Sequence, residues 1–184
     1  MSLKHGLLGL LNYGSMTGYE LDKAFKSSLA FFWHAKSSQI YRELDAMEHC
    51  GWLTSERVIQ EEKPNKRIYS ITAAGKDELL GWLSSHEGGI EGSMNVKSAF
   101  LMRMFFAGET SREHALEILR AFKGKCQERG LGLGGVHESI AQYGSGHDEG
   151  KIDFWKITLL YGEMIYQTMS EWAGKAITML EEKQ

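Results

Sequence analysis

The chain has 184 residues, with 24 acidic side chains against 21 Lys and Arg, for a formal net charge of −3. Two cysteines exclude a disulfide scaffold or a cysteine-rich zinc finger, and one proline excludes proline-rich linkers and collagen. The surplus lies in glycine, with 21 residues against a usual share of about 7%.

At 42% hydrophobic and 24% charged, the composition is that of a globular chain, long enough for one large domain or two small ones. Residues 1–85 carry 10 basic and 10 acidic side chains, while residues 86–184 carry 11 and 14. Nucleic-acid-binding domains are often basic, so the overall balance does not advertise one. A neutral N-terminal part still suffices if its cations gather on one face. No stretch approaches about 18 uncharged apolar residues, so no membrane span is expected. The apolar start, residues 3–11, is interrupted by His5 and two glycines and is not followed by a cleavage-site pattern, so it reads as a buried helix. With few cysteines and no signal, the expected location is the cytoplasm.

In chain order, Leu3, Leu7, Leu10 and Leu11 fall at helical spacing, and Asn12-Tyr13-Gly14-Ser15 ends that helix. Thr17 and Glu20, three residues apart, form a capping-box signature for a second helix over about 18–27, with Leu21, Ala24 and Phe25 inward. An apolar connector, Leu29-Ala30-Phe31-Phe32-Trp33, leads to a third helix that Ser37 can cap. Its buried stripe is Ile40, Leu44 and Met47, and Gly51 suits the left-handed position at its end. Residues 52–60 and 67–71 flank a polar turn with Pro64 and Asn65, which predicts a two-stranded hairpin. Thr72 then caps a helix over 73–85. His86 to Ser93 holds three glycines and marks a domain boundary. Beyond it the chain reads as helical: 96–106, apolar on most sides and expected to be buried; 111–129, opened by Ser111 and His114 with Ala115, Leu116, Leu119 and Phe122 inward; and about 153–182. Eight glycines crowd into residues 124–150, so residues 130–150 are expected to be irregular.

Helix, helix, helix, hairpin, helix is the order of a winged helix-turn-helix. The expected fold is therefore mainly α: a winged helix-turn-helix domain over 1–86, with a two-stranded wing, followed by a helical dimerisation domain over 94–184. The third helix, near 38–50, is the natural recognition helix. Its outer face presents Ser38, Gln39, Arg42 and Glu43 at the turns that such proteins place in the major groove. Arg42 can bond a guanine edge or a phosphate, and Gln39 suits adenine. In the wing, near 56–71, Lys63, Lys66 and Arg67 are placed for phosphates or a narrow minor groove. Glu43, Glu61 and Glu62 oppose anion binding, and a polar helix face is often merely solvated. A winged helix that binds protein instead of DNA is the alternative reading.

The chain resembles the PadR-like transcriptional regulators. The resemblance runs over about residues 3–85 and is carried by Leu7-Leu8-Gly9-Leu10-Leu11, Met16-Thr17-Gly18-Tyr19-Glu20-Leu21, Ser38-Gln39-Ile40-Tyr41-Arg42-Glu43-Leu44, Cys50-Gly51-Trp52-Leu53, Lys66-Arg67-Ile68-Tyr69-Ser70-Ile71-Thr72-Ala73-Ala74-Gly75 and Leu79-Leu80-Gly81-Trp82-Leu83. Leu159-Leu160-Tyr161-Gly162 and Trp172 extend it more weakly into the tail. It implies a dimeric winged-helix repressor or activator on a near-palindromic operator. It further implies that Tyr19 lies near backbone contacts, that Ser38, Gln39, Tyr41 and Arg42 face DNA, and that Lys66 and Arg67 touch phosphate. Many members have Pro where this chain has Arg42, so the operator does not carry over.

In the last helix, Trp155, Thr158, Gly162, Ile165, Met169, Trp172, Ala176 and Met179 recur in alternating steps of three and four, a heptad seam. This seam is expected to pack against a second copy, setting two recognition helices about 34 Å apart, or a multiple of that, along DNA. Trp155, Tyr161, Tyr166, Trp172 and neighbouring methionines could line an apolar site for a small aromatic or apolar effector, although such stripes are more often core. No cofactor is expected. Gly130 to Gly135 fits G-x-G-x-x-G literally, but the charged run 123–129 before it is not a strand. His137 and His147 are spaced too widely for a zinc motif, and no nucleophile elbow occurs, so the chain does not read as an enzyme.

Overall fold

The computed structural model describes residues 3–59, 65–85, 97–144 and 149–182. The chain divides into two compact units, Met1–Gly89 and Ile90–Gln184.

The first unit is built from α1 (Leu3–Leu11), β1 (Met16–Thr17), α2 (Gly18–Ser28), α3 (Ser37–His49), β2 (Leu53–Val58), β3 (Lys66–Ile71) and α4 (Ala73–Ser84). Leu7, Leu8 and Leu11 of α1 meet Leu21 and Phe25 of α2, Ile40, Leu44 and Met47 of α3, and Leu53, Tyr69 and Leu79 in one core. Burying each such aliphatic or aromatic side chain is worth about 1.5–3 kcal/mol, and this outweighs the modest helix propensity of the short segments. The capping box at α2 is present: the Glu20 amide donates to Thr17 Oγ1 at 3.2 Å and the Thr17 amide donates to Glu20 Oε2 at 2.8 Å. The Thr17 amide, together with the Thr17 hydroxyl that also donates to Glu20 Oε2 at 2.8 Å, holds the Glu20 carboxyl below its usual range. Gly51 follows α3 at φ 75°, and the Trp52 amide reaches back to the Met47 carbonyl at 2.9 Å, closing the helix end with the left-handed turn that glycine adopts freely.

Two features of this unit differ from the sequence reading. The cap of α3 is Lys36, not Ser37: the Lys36 amide donates to Gln39 Oε1 at 2.8 Å, and Ser37 is the first helical residue. The hairpin also gains a third strand. β1 pairs antiparallel with β3 (Met16 opposite Tyr69, Thr17 opposite Ile68), giving the order β1-β3-β2. The wing pair runs from Leu53 opposite Ile71 to Val58 opposite Lys66. Residues 60–64 of the turn, Lys63 among them, lie outside the described residues, as does the proposed boundary at 86–93.

The second unit comprises α5 (Ala99–Phe105), a short 3₁₀ turn (Ala107–Glu109), α6 (Arg112–Gly132), α7 (Gly134–Gly144) and α8 (Glu149–Glu181). Ser111 caps α6 by accepting from the His114 amide at 3.1 Å, as the sequence suggests. α6 and α8 run antiparallel. Arg120 pairs with Glu181 at 2.6 Å, while at the other end Gly130 lies against Tyr166. Ala115, Leu119, Cys126, Leu133, Leu159 and Ala173 are the buried apolar side chains among the described residues of this unit.

Two expectations are corrected here. Residues 130–144 are helical: α6 continues to Gly132, Leu133 turns in the right-handed region, and α7 follows. No glycine among them adopts a positive φ. Gly144 instead accepts the close approach of Ile152, whose Cδ1 would lie 3.1 Å from an added Cβ, and Leu133 supplies the buried anchor. Residues 145–148 lie outside the described residues. The segment expected as a buried helix over 96–106 is α5, and it is largely exposed, with Leu101, Met102, Phe105 and Phe106 open to solvent. Only one helix face is used: Phe100 stacks on Phe122 at 4.1 Å and meets Trp172 edge-on at 6.1 Å.

Candidate nucleic-acid interface

The stripe Ile40, Leu44 and Met47 seats α3 in the core, which leaves the other face open to solvent. Ser38, Gln39, Tyr41 and Arg42 all lie on that exposed side. Arg42 makes no ion pair among the described residues, so its guanidinium is available to a base edge or a phosphate. The carbonyl of Gln39 is occupied by the Lys36 amide, leaving its NH₂ for a partner. Tyr41 is 43% exposed and lies against Gly18 at the start of α2. A Cβ built on Gly18 would stand 2.5 Å from Tyr41 Cε1, which explains a glycine between Thr17 and Tyr19. This contact joins the first turn of α2 to the N-terminal half of α3. Tyr19 beside it is 71% exposed.

Cations missed by the sequence reading also gather at this turn. Lys26 donates to Ser37 Oγ and to Asp22 Oδ2, both at 2.6 Å, so an ammonium sits at the start of α3. Lys23 and Lys36 are exposed beside it. The signal was present in the sequence as three lysines flanking the turn between α2 and α3, but only the packing of the two helices places them together.

Along the wing, side chains alternate across the sheet. Lys66 is exposed on the same face as Glu56 and Thr54. Arg67 is on the opposite face with Ser55 and Tyr69, and it differs from its sequence reading. Its guanidinium turns onto α3, pairing with Glu48 and with Asp45 at 3.5 Å, while its Nε donates to Ser55 Oγ at 2.6 Å. Lys63 lies outside the described residues.

In the second unit, the expected seam is partly spent within the chain. Gly162 is buried, Trp155, Ile165 and Ala176 are half-buried, and Trp172 packs on Phe100 and Phe122. Met169 is 40% exposed. The open apolar side of α8 is a different stripe, with Phe154, Ile157, Leu160, Tyr161 and Met164 all more than half exposed. No group of three or more His, Cys, Asp or Glu among the described residues could hold a metal ion. No described helix is long and apolar enough to cross a membrane.

Comparison with known proteins gives the same picture. Residues 7–80 match the model of the transcriptional regulator PadR-like family, and residues 96–181 match that of the virulence activator alpha C-terminal family. The negative transcriptional regulator PadR of Bacillus subtilis is 36% identical over 138 residues, covering 75% of this chain and 74% of that protein. Its crystal structure with operator DNA superimposes with a TM-score of 0.78 at 30% identity, covering 98% of this chain and 99% of the other. Its structure with p-coumaric acid gives 0.73 at 28% identity over 97% and 98%. The crystal structure of smu.1604c from Streptococcus mutans UA159 gives 0.81 at 29% identity over 97% and 99%. The chain therefore belongs to the PadR-like family of transcriptional regulators, a family of regulators and not of enzymes.

Proposed function

We propose that the chain represses transcription by binding a near-palindromic operator as a homodimer in the cytoplasm. In this reading α3 enters the major groove and the wing lies along the backbone. The observation that carries it is the outer face of α3: Arg42 unpaired among the described residues, beside exposed Ser38 and Gln39, with the lysines at the turn close by. That is the geometry a helix-turn-helix uses to read base edges from the first turns of its second helix. Repression follows the negative regulator from Bacillus subtilis, whose structure with operator DNA shares this fold.

The residues divide by role. Ser38, Gln39 and Arg42 read bases, Tyr41 sets the helix against α2, and Tyr19, Lys23, Lys36, Lys63 and Lys66 serve the phosphates. Dimerisation rests on α8, through the open stripe Phe154, Ile157, Leu160, Tyr161 and Met164 together with Met169 and Met179, exposed members of the seam. An apolar stripe of this length is what a soluble monomer rarely leaves uncovered. A small aromatic or apolar effector is supported by the p-coumaric acid held by the related PadR and by the aromatic residues of this unit.

Fluorescence anisotropy with a selected duplex tests the DNA reading. Lys66→Ala removes a phosphate contact, so affinity should fall and the slope of log K against log salt should flatten by about 0.9. Arg42→Ala removes a base contact, so affinity for the selected duplex should fall and its preference over random duplex should relax. Unchanged affinity and slope would instead favour a winged helix that binds protein.

A further inference from the structure

The wing carries two basic side chains on the face away from the expected DNA side, Arg57 and, directly opposite it, Arg67. Arg67 lies at the start of β3, on the sheet face shared with Ser55 and Tyr69. Three of its nitrogens are engaged: Nε donates to Ser55 Oγ at 2.6 Å, Nη1 faces Asp45 Oδ1 at 3.5 Å, and Nη2 donates to Glu48 Oε2. Ser55 in turn donates to Glu48 Oε1 at 2.6 Å, so the Glu48 carboxylate accepts from both wing strands, one oxygen to each. The guanidinium also lies 5.3 Å from the centre of the Tyr69 ring. The network thus ties the C-terminal half of α3 to β2 and β3.

We infer that Arg67 is a positioning residue that fixes the wing relative to the recognition helix, and is not itself a phosphate ligand. The inference rests on the DNA-binding reading above, but the network it uses exists without DNA. Occupancy decides the point. The Arg67 guanidinium is already held by Asp45, Glu48 and Ser55, with Arg57 across the strand balancing the second carboxylate, so a phosphate approaching Arg67 must displace bonds already made. Lys66, one residue earlier, projects to the other face, and it is free of ion pairs among the described residues. Of the adjacent pair, one cation meets DNA and the other sets where that meeting occurs.

Arg67→Ala, Glu48→Gln, the double variant and the charge swap Arg67→Glu with Glu48→Arg test this in the full chain, with Lys66→Ala as the comparison. The expected result is that Arg67→Ala and Glu48→Gln each lower the ratio of operator to random-duplex affinity by at least about threefold. The salt slope should keep its wild-type value, the double variant should be no worse than the poorer single one, and the charge swap should restore part of the loss. Lys66→Ala should flatten the slope. A slope flattened by about 0.9 in Arg67→Ala, with tighter binding in Glu48→Gln because the guanidinium is released, would overturn the inference in favour of direct phosphate binding. Amide hydrogen exchange without DNA gives an independent reading. It should quicken in β2 and β3 for Arg67→Ala and Glu48→Gln but not for Lys66→Ala, and unchanged exchange would refute the clamp. A wild-type chain that retains no duplex would end the DNA-binding reading, and hydrogen exchange would still decide whether Arg67 holds the wing.

Discussion

Gly75→Ala sets two physical effects against each other. Gly75 lies in the first turn of α4, where alanine should gain about 1 kcal/mol of helix propensity. Its surroundings oppose this. A Cβ there would stand 2.2 Å from the Trp52 carbonyl oxygen, 2.9 Å from Ile71 Cγ1 and 3.0 Å from the Trp52 carbonyl carbon. The nearest atom is backbone, and it cannot swing aside. That carbonyl accepts from the Thr72 amide at 3.0 Å, and the Thr72 hydroxyl donates to the Gly51 carbonyl at 2.7 Å, so moving it strains the junction of α3, β2 and α4. Overpacking costs about 1–3 kcal/mol and a loosened hydrogen bond about 0.5–1.5 kcal/mol more. Set against the propensity gain, the net loss is about 2 kcal/mol. For a unit of this size that is a fall in Tm of about 10 °C. Circular dichroism melting of the full chain measures it. A melting point unchanged or raised would show that propensity governs this position and that the close approach of α4 to Trp52 is not a constraint.

Other expectations follow from the same geometry. His5 is buried, stacks on Trp82 at 4.4 Å, and burial holds its imidazole below the ordinary 6.5 despite the hydrogen bond to Glu78. The unfolded chain therefore binds this proton more readily than the folded one, so stability is full above about pH 6.5 and declines as pH falls below it. Urea midpoints between pH 7.5 and 5.5 should show the decline, and His5→Phe, which keeps the stacked ring, should flatten it; an equal decline in the variant would assign it elsewhere. Glu78, held low by Lys4 and His5, acts only in a more acidic window, where its stabilisation is lost as pH falls through the lowered value. Ile157→Glu with Met164→Glu, both on the open stripe of α8, should convert a dimer to a monomer in sedimentation velocity. A wild-type chain that is monomeric at micromolar concentration would remove the dimer reading altogether.

The features legible in the sequence were those set by near neighbours. The stripe Ile40, Leu44 and Met47 announced α3, and Thr17 with Glu20, Thr72, Ser111 and Gly51 announced helix ends, because caps and helical periodicity act over three or four residues. What escaped was set by distant partners. β1 is too short to show a pattern and exists through pairing with Tyr69 and Ile68, far along the chain. Gly18 and Gly75 look like ordinary punctuation until Tyr41 and Trp52 are seen against them. Arg67 reads as a phosphate ligand from its place in the wing, and only the fold brings it to Glu48. The glycine surplus suggested a broken chain over 130–150, whereas residues 130–144 are helical, with Leu133 buried and Ile152 packed closely on Gly144, so packing offsets the entropic cost there. The α8 seam had the right period, but period alone does not say whether a helix face meets its own subunit or another.

Selection from a pool of random duplexes, followed by sequencing of those retained, bears most directly on the central claim that two copies of α3 read DNA together. The expected product is an inverted repeat, with half-sites about one helical turn apart, or a multiple of it. Enrichment of a single unrepeated site, or no enrichment at all, would contradict it.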